Sequence, residues 1–162
     1  MSCIHRVIFC GLLVALCSCA GKHAAPASER SAPMNQPAVS IPGTKPYPYK
    51  TANGKTYYLH VFQPPDRKAD AKLPVIIFFH GSEGSPKQFW PQCGYFSTQA
   101  GMVAITGEYR QRQRDSATRY DAAEDAKSAV RWVRQNAADL GIDPRRVVLA
   151  GGSYGGYIAA CA

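Results

Sequence analysis

The stretch that decides the fold is VVLAGGSYGGYIAACA, residues 147–162. Its first four residues form a short apolar run typical of a buried strand, and the residues that follow the serine fit a helix. Ser153 stands between these two segments, with Gly151 two positions before it and Gly155 two positions after it. Glycines at these positions permit a strand-to-helix turn sharp enough to expose the serine hydroxyl. The pattern therefore predicts a catalytic nucleophile at Ser153.

Upstream of this turn, apolar strands alternate with helical segments. LPVIIFFHG (residues 73–81), MVAITGEYR (102–110) and RRVVLAGGS (145–153) read as buried strands, with helices over 91–101 and 121–141 between them. This alternation predicts an α/β fold with a mostly parallel sheet. Asn53 and Gly54 lie between two alternating segments, which predicts an N-terminal antiparallel hairpin.

A second glycine-containing loop follows the strand at 73–81. HGSEGS, residues 80–85, stands at the carboxyl end of that strand, where ligands gather in parallel sheets. Backbone N–H groups of such a loop stabilise the oxyanion that forms when a serine attacks a carbonyl carbon. We expect one donor at Gly81 or Ser82 and another at Tyr154, the residue after the nucleophile. His80 has a structural role in this interpretation.

Three segments together carry a family resemblance. PVIIFFHGSEGS (74–85), GMVAITGEYR (101–110) and DAKSAVRWVRQNAADLGIDPRRVVLAGGSYGG (125–156) resemble the α/β-hydrolase superfamily, most closely the bacterial esterase/lipase group of acetyl esterases and feruloyl-esterase-like enzymes. The resemblance covers about residues 47–162. It implies a serine carboxylic-ester hydrolase that acts on small acyl esters, those of carbohydrates included. The chain has Ser82 and Glu83 where this group has further glycines, so the oxyanion loop differs in shape.

Two other functions stay open. SYGGY, residues 153–157, also resembles the prolyl-oligopeptidase-type serine peptidases, which share this fold. A non-catalytic surface lipoprotein is the third interpretation. In the family the acid and the histidine of the triad follow the serine along the chain. The nine residues after Ser153 contain no Asp, Glu or His, so we expect the N-terminal portion of an α/β-hydrolase domain that is inactive on its own.

The N-terminus predicts export. Residues 1–18 combine Arg6, an apolar run too short to span a bilayer and small residues at its end, which is typical of a signal peptide. LCSC, residues 16–19, resembles a lipoprotein processing site, which would place a lipid on Cys19 and the protein in the periplasm or on the outer membrane. Plain secretion is the alternative. Residues 19–46 are rich in Ala, Pro and Ser and predict a tether before the domain at 47–162.

Composition and charge do not favour a nucleic-acid-binding protein or a metalloprotein. The net charge is +8, but the basic residues are scattered, which does not favour nucleic-acid binding. No metal or cofactor motif is present. Cys93 and Cys161 are interpreted as buried free thiols, and a disulfide between them in an oxidising compartment is the alternative. Arg110 and Asp125 are expected to form a structural ion pair. Arg112 and Arg114 follow the second buried strand and are candidates for the rim of a pocket that takes anionic esters.

Overall fold

The computed structural model describes residues 36–162. The predicted signal peptide, Cys19 and most of the predicted tether lie outside these residues and stay predictions. Ile41 is buried, and the first strand begins at Lys45. The folded part therefore starts a few residues before the boundary predicted at residue 46. Within residues 36–162, no helix is both long enough and apolar enough to cross a membrane.

Five strands form one sheet. They are β1 (Lys45–Ala52), β2 (Lys55–Phe62), β3 (Leu73–Phe79), β4 (Val103–Gly107) and β5 (Ile142–Gly151), in the order β1-β2-β4-β3-β5. β3 lies parallel to β4 and to β5, whereas β2 lies antiparallel to β1 and to β4. The predicted fold class is confirmed: an α/β sheet with a parallel part and an N-terminal antiparallel hairpin.

The helices connect and cover these strands. They are α1 (Trp90–Thr98), α2 (Arg112–Asp115), α3 (Arg119–Gln135), α4 (Ala137–Leu140) and α5 (Tyr154–Ala160), and a short 3₁₀ turn at Pro86–Phe89 precedes α1. The hairpin turns at Asn53 and Gly54, whose φ angles of 50° and 74° are both positive. Two successive positive φ angles define the turn type that matches the twist of a hairpin.

β3 is buried on both faces, as its continuous apolar sequence predicts. Val75, Ile77 and Phe79 point to one face and pack with residues of α3, while Ile76 and Phe78 point to the other face with Cys93 of α1. Side chains alternate between the two faces of a strand, so a strand covered by helices on both sides needs apolar residues at every position. β3 thus forms the centre of both apolar clusters.

The helix predicted over 121–141 is two helices. α3 begins earlier than predicted because Thr118 caps it: the Thr118 hydroxyl accepts a hydrogen bond from the Asp121 N–H at 3.2 Å, and the Asp121 carboxylate accepts one from the Thr118 N–H at 2.8 Å. The break falls at Asn136, whose side-chain amide donates to the Trp132 carbonyl at 2.8 Å. Gly141 ends α4 with a φ of 66°, as its position after the apolar pattern predicts.

β5 and the cysteines also differ in part from expectation. β5 begins at Ile142, earlier than the strand predicted at 145–153, and its register on β3 shifts between the pairs Leu73–Ile142 and Val75–Val147. Residues 143–144 therefore form an irregularity within the strand. Both cysteines are free, but only Cys93 is buried; Cys161 is exposed because it follows the last turn of α5.

A buried carboxylate ties the hairpin to α3 and to the loop after β4. Asp125 is fully buried and accepts hydrogen bonds from the Arg110 guanidinium at 2.8 to 3.1 Å and from the Arg110 N–H at 2.9 Å. Lys50 of β1 lies 2.5 Å from the same carboxylate. The predicted Arg110–Asp125 pair is therefore present, and Lys50 is a second cationic partner.

Replacing Asp125 by Asn should destabilise the protein strongly, because Arg110 and Lys50 would keep their charges without the carboxylate that balances them. We expect Asp125→Asn to lower the free energy of unfolding by about 3 kcal/mol or more, measured by urea denaturation. Glu124→Gln is the matched control: Glu124 is exposed on the same helix, and its replacement should change stability by less than about 0.5 kcal/mol. Equal effects of the two variants would contradict this account.

Candidate active site

Ser153 occupies a strained turn between β5 and α5. Its φ and ψ angles are 53° and −120°, its side chain is exposed, and α5 begins at the next residue. A positive φ is costly for a residue with a Cβ and is found mainly where the surrounding structure imposes it. The turn lies at the carboxyl end of the parallel strands, where it leaves Ser153 exposed. This is the geometry of a nucleophile elbow.

The two glycines that flank Ser153 are required by close backbone contacts. A Cβ at Gly155 would overlap the carbonyl oxygen of Phe79 and lie 2.5 Å from that of His80. A Cβ at Gly151 would overlap the backbone of Gly155 and lie 2.7 Å from the Phe79 carbonyl oxygen. These distances are shorter than any van der Waals contact, so only glycine allows α5 to approach the end of β3.

The loop after β3 lies beside the nucleophile. A Cβ at Gly81 would be 3.8 Å from that of Ser153. The loop turns back on itself through a hydrogen bond from the Gly84 N–H to the Gly81 carbonyl, at 3.1 Å, with Glu83 at a φ of 61°. The predicted oxyanion loop and the predicted nucleophile are thus adjacent.

The N–H of Gly81, one of the predicted oxyanion donors, has a partner in the structure. The Gly81 N–H donates to the side-chain oxygen of Gln88, at 2.9 Å, and is therefore already engaged. Ser82 and Tyr154 both line the cavity beside the elbow. The N–H of Tyr154 is at the first position of α5, where a helix offers no internal acceptor. Ser82 and Tyr154 remain the predicted donors.

His80 is held inside the fold and supports the loop. It is buried, its ring stacks on Tyr109 at 4.5 Å between centroids, and its Nδ1 lies 2.8 Å from the Gly81 carbonyl. Because Nδ1 donates this hydrogen bond, Nε2 is an acceptor and faces the Gln111 amide at 3.2 Å. Burial lowers the pKa of His80 to about 4, although the Gly81 carbonyl favours the protonated form. His80 is therefore neutral at physiological pH.

A cavity of about 780 Å³ opens beside the elbow. Its walls come from the oxyanion loop, from α2 and the loop after it, and from the start of α5: Ser82, Gln111, Arg112, Gln113, Ser116, Ala117, Thr118, Arg119 and Tyr154. Arg112 lines this cavity, as predicted. Arg114 does not, because its guanidinium binds the Gly84 carbonyl at 3.0 Å and the Gln111 side chain at 3.1 Å. Arg119 is the second arginine that lines the cavity.

Three residues that contact the loop after β3 were not predicted from the sequence. Gln88 engages Gly81, Gln111 contacts His80, and the Tyr109 hydroxyl donates to the His80 carbonyl at 2.7 Å. Gln88 belongs to the 3₁₀ turn, and the other two follow β4, so all three reach the loop from separate parts of the chain. The only sequence signal was the Tyr-Arg pair after the second buried strand, which belongs to the family resemblance.

Ser153 lies in a strained turn at the carboxyl end of a parallel strand, beside a glycine-containing loop. In an α/β sheet, this arrangement defines the nucleophile elbow of an α/β-hydrolase. A family model described as BD-FAE matches residues 59–162, and the chain belongs to that family. Esterase Est2 from the planctomycete Thermogutta terrifontis is 45% identical, with a TM-score of 0.72 over 74% of this chain and 44% of that chain.

Two curated relatives come from Mycobacterium tuberculosis. Carboxylesterase NlhH is 36% identical over 92 residues, which are 54% of this chain and 28% of the relative. Esterase LipQ is 29% identical over 146 residues, which are 84% of this chain and 34% of the relative. The chain therefore spans about a third of the length of these two relatives and less than half of the solved esterase.

Gly155→Ala should disrupt the elbow, because its Cβ would overlap the carbonyl oxygens at the end of β3. We expect a loss of about 3 kcal/mol in the free energy of unfolding, measured by urea denaturation. Gly94→Ala is the control: Gly94 also lies in a helix, but nothing lies within 4 Å of the position of its Cβ. Alanine there should be neutral or stabilise by up to about 1 kcal/mol. A tolerated Gly155→Ala would contradict the packing described above.

The ring of His80 should stay neutral, with its proton on Nδ1, down to about pH 5, as measured by ¹⁵N NMR of the imidazole. The pKa of His80 in the folded protein, about 4, lies below its unfolded value of about 6.5. The unfolded chain therefore takes up the proton first as the pH falls, and the stability that depends on neutral His80 is lost between about pH 6.5 and pH 4. An imidazolium signal from His80 at pH 6 would contradict this assignment.

Proposed function

We propose that this protein is a serine carboxylic-ester hydrolase in which Ser153 is the nucleophile. The observation that carries the proposal is the exposed, strained Ser153 with the 80–84 loop against it. The relatives and the solved structure described above are esterases, and this supports ester hydrolysis over other reactions of the fold.

The proposed reaction has two steps. The Ser153 Oγ attacks the carbonyl carbon of the ester, and the carbonyl oxygen becomes an oxyanion that accepts hydrogen bonds from the N–H groups of Ser82 and Tyr154. The intermediate expels the alcohol, which leaves with a proton, and Ser153 carries the acyl group. Water then attacks the acyl-enzyme and releases the acid.

Both steps need a general base. The described residues contain two histidines, and both have other partners: His60 faces Glu108 at 3.4 Å, and His80 is bonded within the oxyanion loop. Neither of these hydrogen bonds involves Ser153. The general base of the proposed hydrolysis is therefore neither of these two histidines.

We propose small acyl groups of the acetyl type as substrates, attached to alcohols that include carbohydrates. Structures of the Thermogutta esterase are described as bound to propionate and to butyrate, and these short acids support the size of the acyl group. The polar lining of the cavity, with Ser, Thr and Gln side chains, supports a hydroxyl-rich alcohol. The peptidase alternative depends on the SYGGY sequence alone, and the esterase relatives weigh against it.

In a protein that also supplies the general base, Ser153→Ala should reduce the hydrolysis of 4-nitrophenyl acetate and 4-nitrophenyl butyrate by at least about a thousandfold in kcat/KM, because the nucleophile is removed. Ser40→Ala, at an exposed position before β1, is the control and should keep the parent rate. The Thermogutta esterase is described as phosphorylated by paraoxon, so mass spectrometry after paraoxon treatment should place a single adduct on Ser153. A Ser153→Ala variant within tenfold of the parent would refute the proposal and favour a non-catalytic role.

A further inference from the structure

The cavity beside Ser153 carries positive charge and no negative charge. Two of its nine lining residues are arginines, Arg112 and Arg119, and none is Asp or Glu. Both arginines are exposed. Neither takes part in the ion pairs formed within residues 36–162. The Arg119 guanidinium lies over the ring of the neighbouring Tyr120, at 5.2 Å from its centroid, and donates a hydrogen bond to the Tyr120 hydroxyl at 3.4 Å.

The carboxylates closest along the chain are bound to other groups. Asp115 pairs with Lys55 at 2.6 Å and accepts a hydrogen bond from the Gln111 N–H at 2.8 Å. Burial by itself would raise the pKa of Asp115, but the hydrogen bonds from Lys55 and Gln111 outweigh it and the pKa is lowered. Asp115 therefore stays ionised and committed to these partners.

The other two acids are also engaged. Asp121 caps α3 through Thr118 and pairs with Arg110 at 2.8 Å. Glu83 accepts a hydrogen bond from the side-chain amide of Gln113. Asp115 and Asp121 are therefore paired with Lys55 and Arg110, whereas the partner of Glu83, which does not line the cavity, is a neutral amide. The two guanidinium groups on the cavity wall are left without an anion.

We propose that Arg112 and Arg119 select esters that carry a carboxylate near the scissile bond. This inference rests on the proposed function, because it names the substrate class of the same site. A guanidinium group presents N–H donors in the planar arrangement that a carboxylate accepts. Gln113 lines the same wall, and only one of its two amide hydrogens is used, in the bond to Glu83; the other can donate to a remaining lone pair. The carboxylate belongs either to the acyl group or to the alcohol, for instance a uronic acid.

The test measures binding without turnover, so that it does not depend on the rate of hydrolysis. In the Ser153→Ala background, two pairs of intact esters are titrated by NMR. Monoethyl succinate is compared with ethyl butyrate, which probes a charge on the acyl side. An acetylated galacturonate is compared with the matching acetylated galactose, which probes a charge on the alcohol side.

We expect the anionic member of at least one pair to bind about fivefold more tightly than its neutral partner at low salt, which is the effect of an exposed ion pair. The pair that shows the preference identifies the side of the ester that carries the charge. High salt should reduce the preference, because exposed charges are screened within about 10 Å at 0.1 M salt.

Arg112→Gln and Arg119→Gln together should abolish the preference, because they lower the affinity for the anionic esters more than that for the neutral esters. Arg131→Gln is the matched control, since Arg131 is exposed on α3, bonds to Ser128 and does not line the cavity. Equal affinity within both pairs, or a preference that survives the double variant, would overturn the inference. Hydrolysis of the neutral 4-nitrophenyl esters by the parent tests the proposed function separately. A failure of the proposed function can therefore be distinguished from a failure of this inference.

Discussion

The close approach between the end of β3 and the start of α5 is the constraint on which the site depends. The backbone of Gly155 lies against the carbonyl oxygens of Phe79 and His80, with no space for a side chain. This contact joins two parallel strands at the same edge of the sheet, since β3 continues into the oxyanion loop and β5 continues into the elbow. Ser153 therefore meets the loop although more than seventy residues separate them along the chain.

Buried polar groups hold this edge of the sheet in place. The Tyr109 hydroxyl and the His80 ring both bind carbonyl oxygens of the loop, and Gln111 reaches the same ring from the segment after β4. Asp125 binds the neighbouring Arg110 through its backbone and its side chain. A buried polar group without a partner is costly, so these contacts favour one arrangement of the loop. Asp125, Asp115 and Asp121 each pair with a lysine or an arginine other than Arg112 and Arg119.

Much of the fold could be predicted because the sequence pattern is strong. The apolar run of β3 requires burial on both faces, and Asn53-Gly54 requires a tight hairpin turn. The predictions failed where local side-chain bonding competes with periodicity. Thr118 starts α3 earlier than the apolar pattern does, and Asn136 divides the predicted helix by bonding to the Trp132 carbonyl. Such bonds change a helix boundary without changing its hydrophobic spacing.

The sequence by itself determined the position of the elbow, because two glycines around a serine between a strand and a helix permit only a narrow set of backbone conformations. It also located the glycine-containing loop at residues 80–85, since the loop follows a buried strand. Only the tertiary structure decided which groups of that loop are free. Gln88 takes the Gly81 N–H, and Arg119 rather than Arg114 joins Arg112 at the cavity. These outcomes depend on contacts between segments that are distant along the chain. The sequence pattern does not show which donor and which acceptor lie within hydrogen-bond distance in the folded protein.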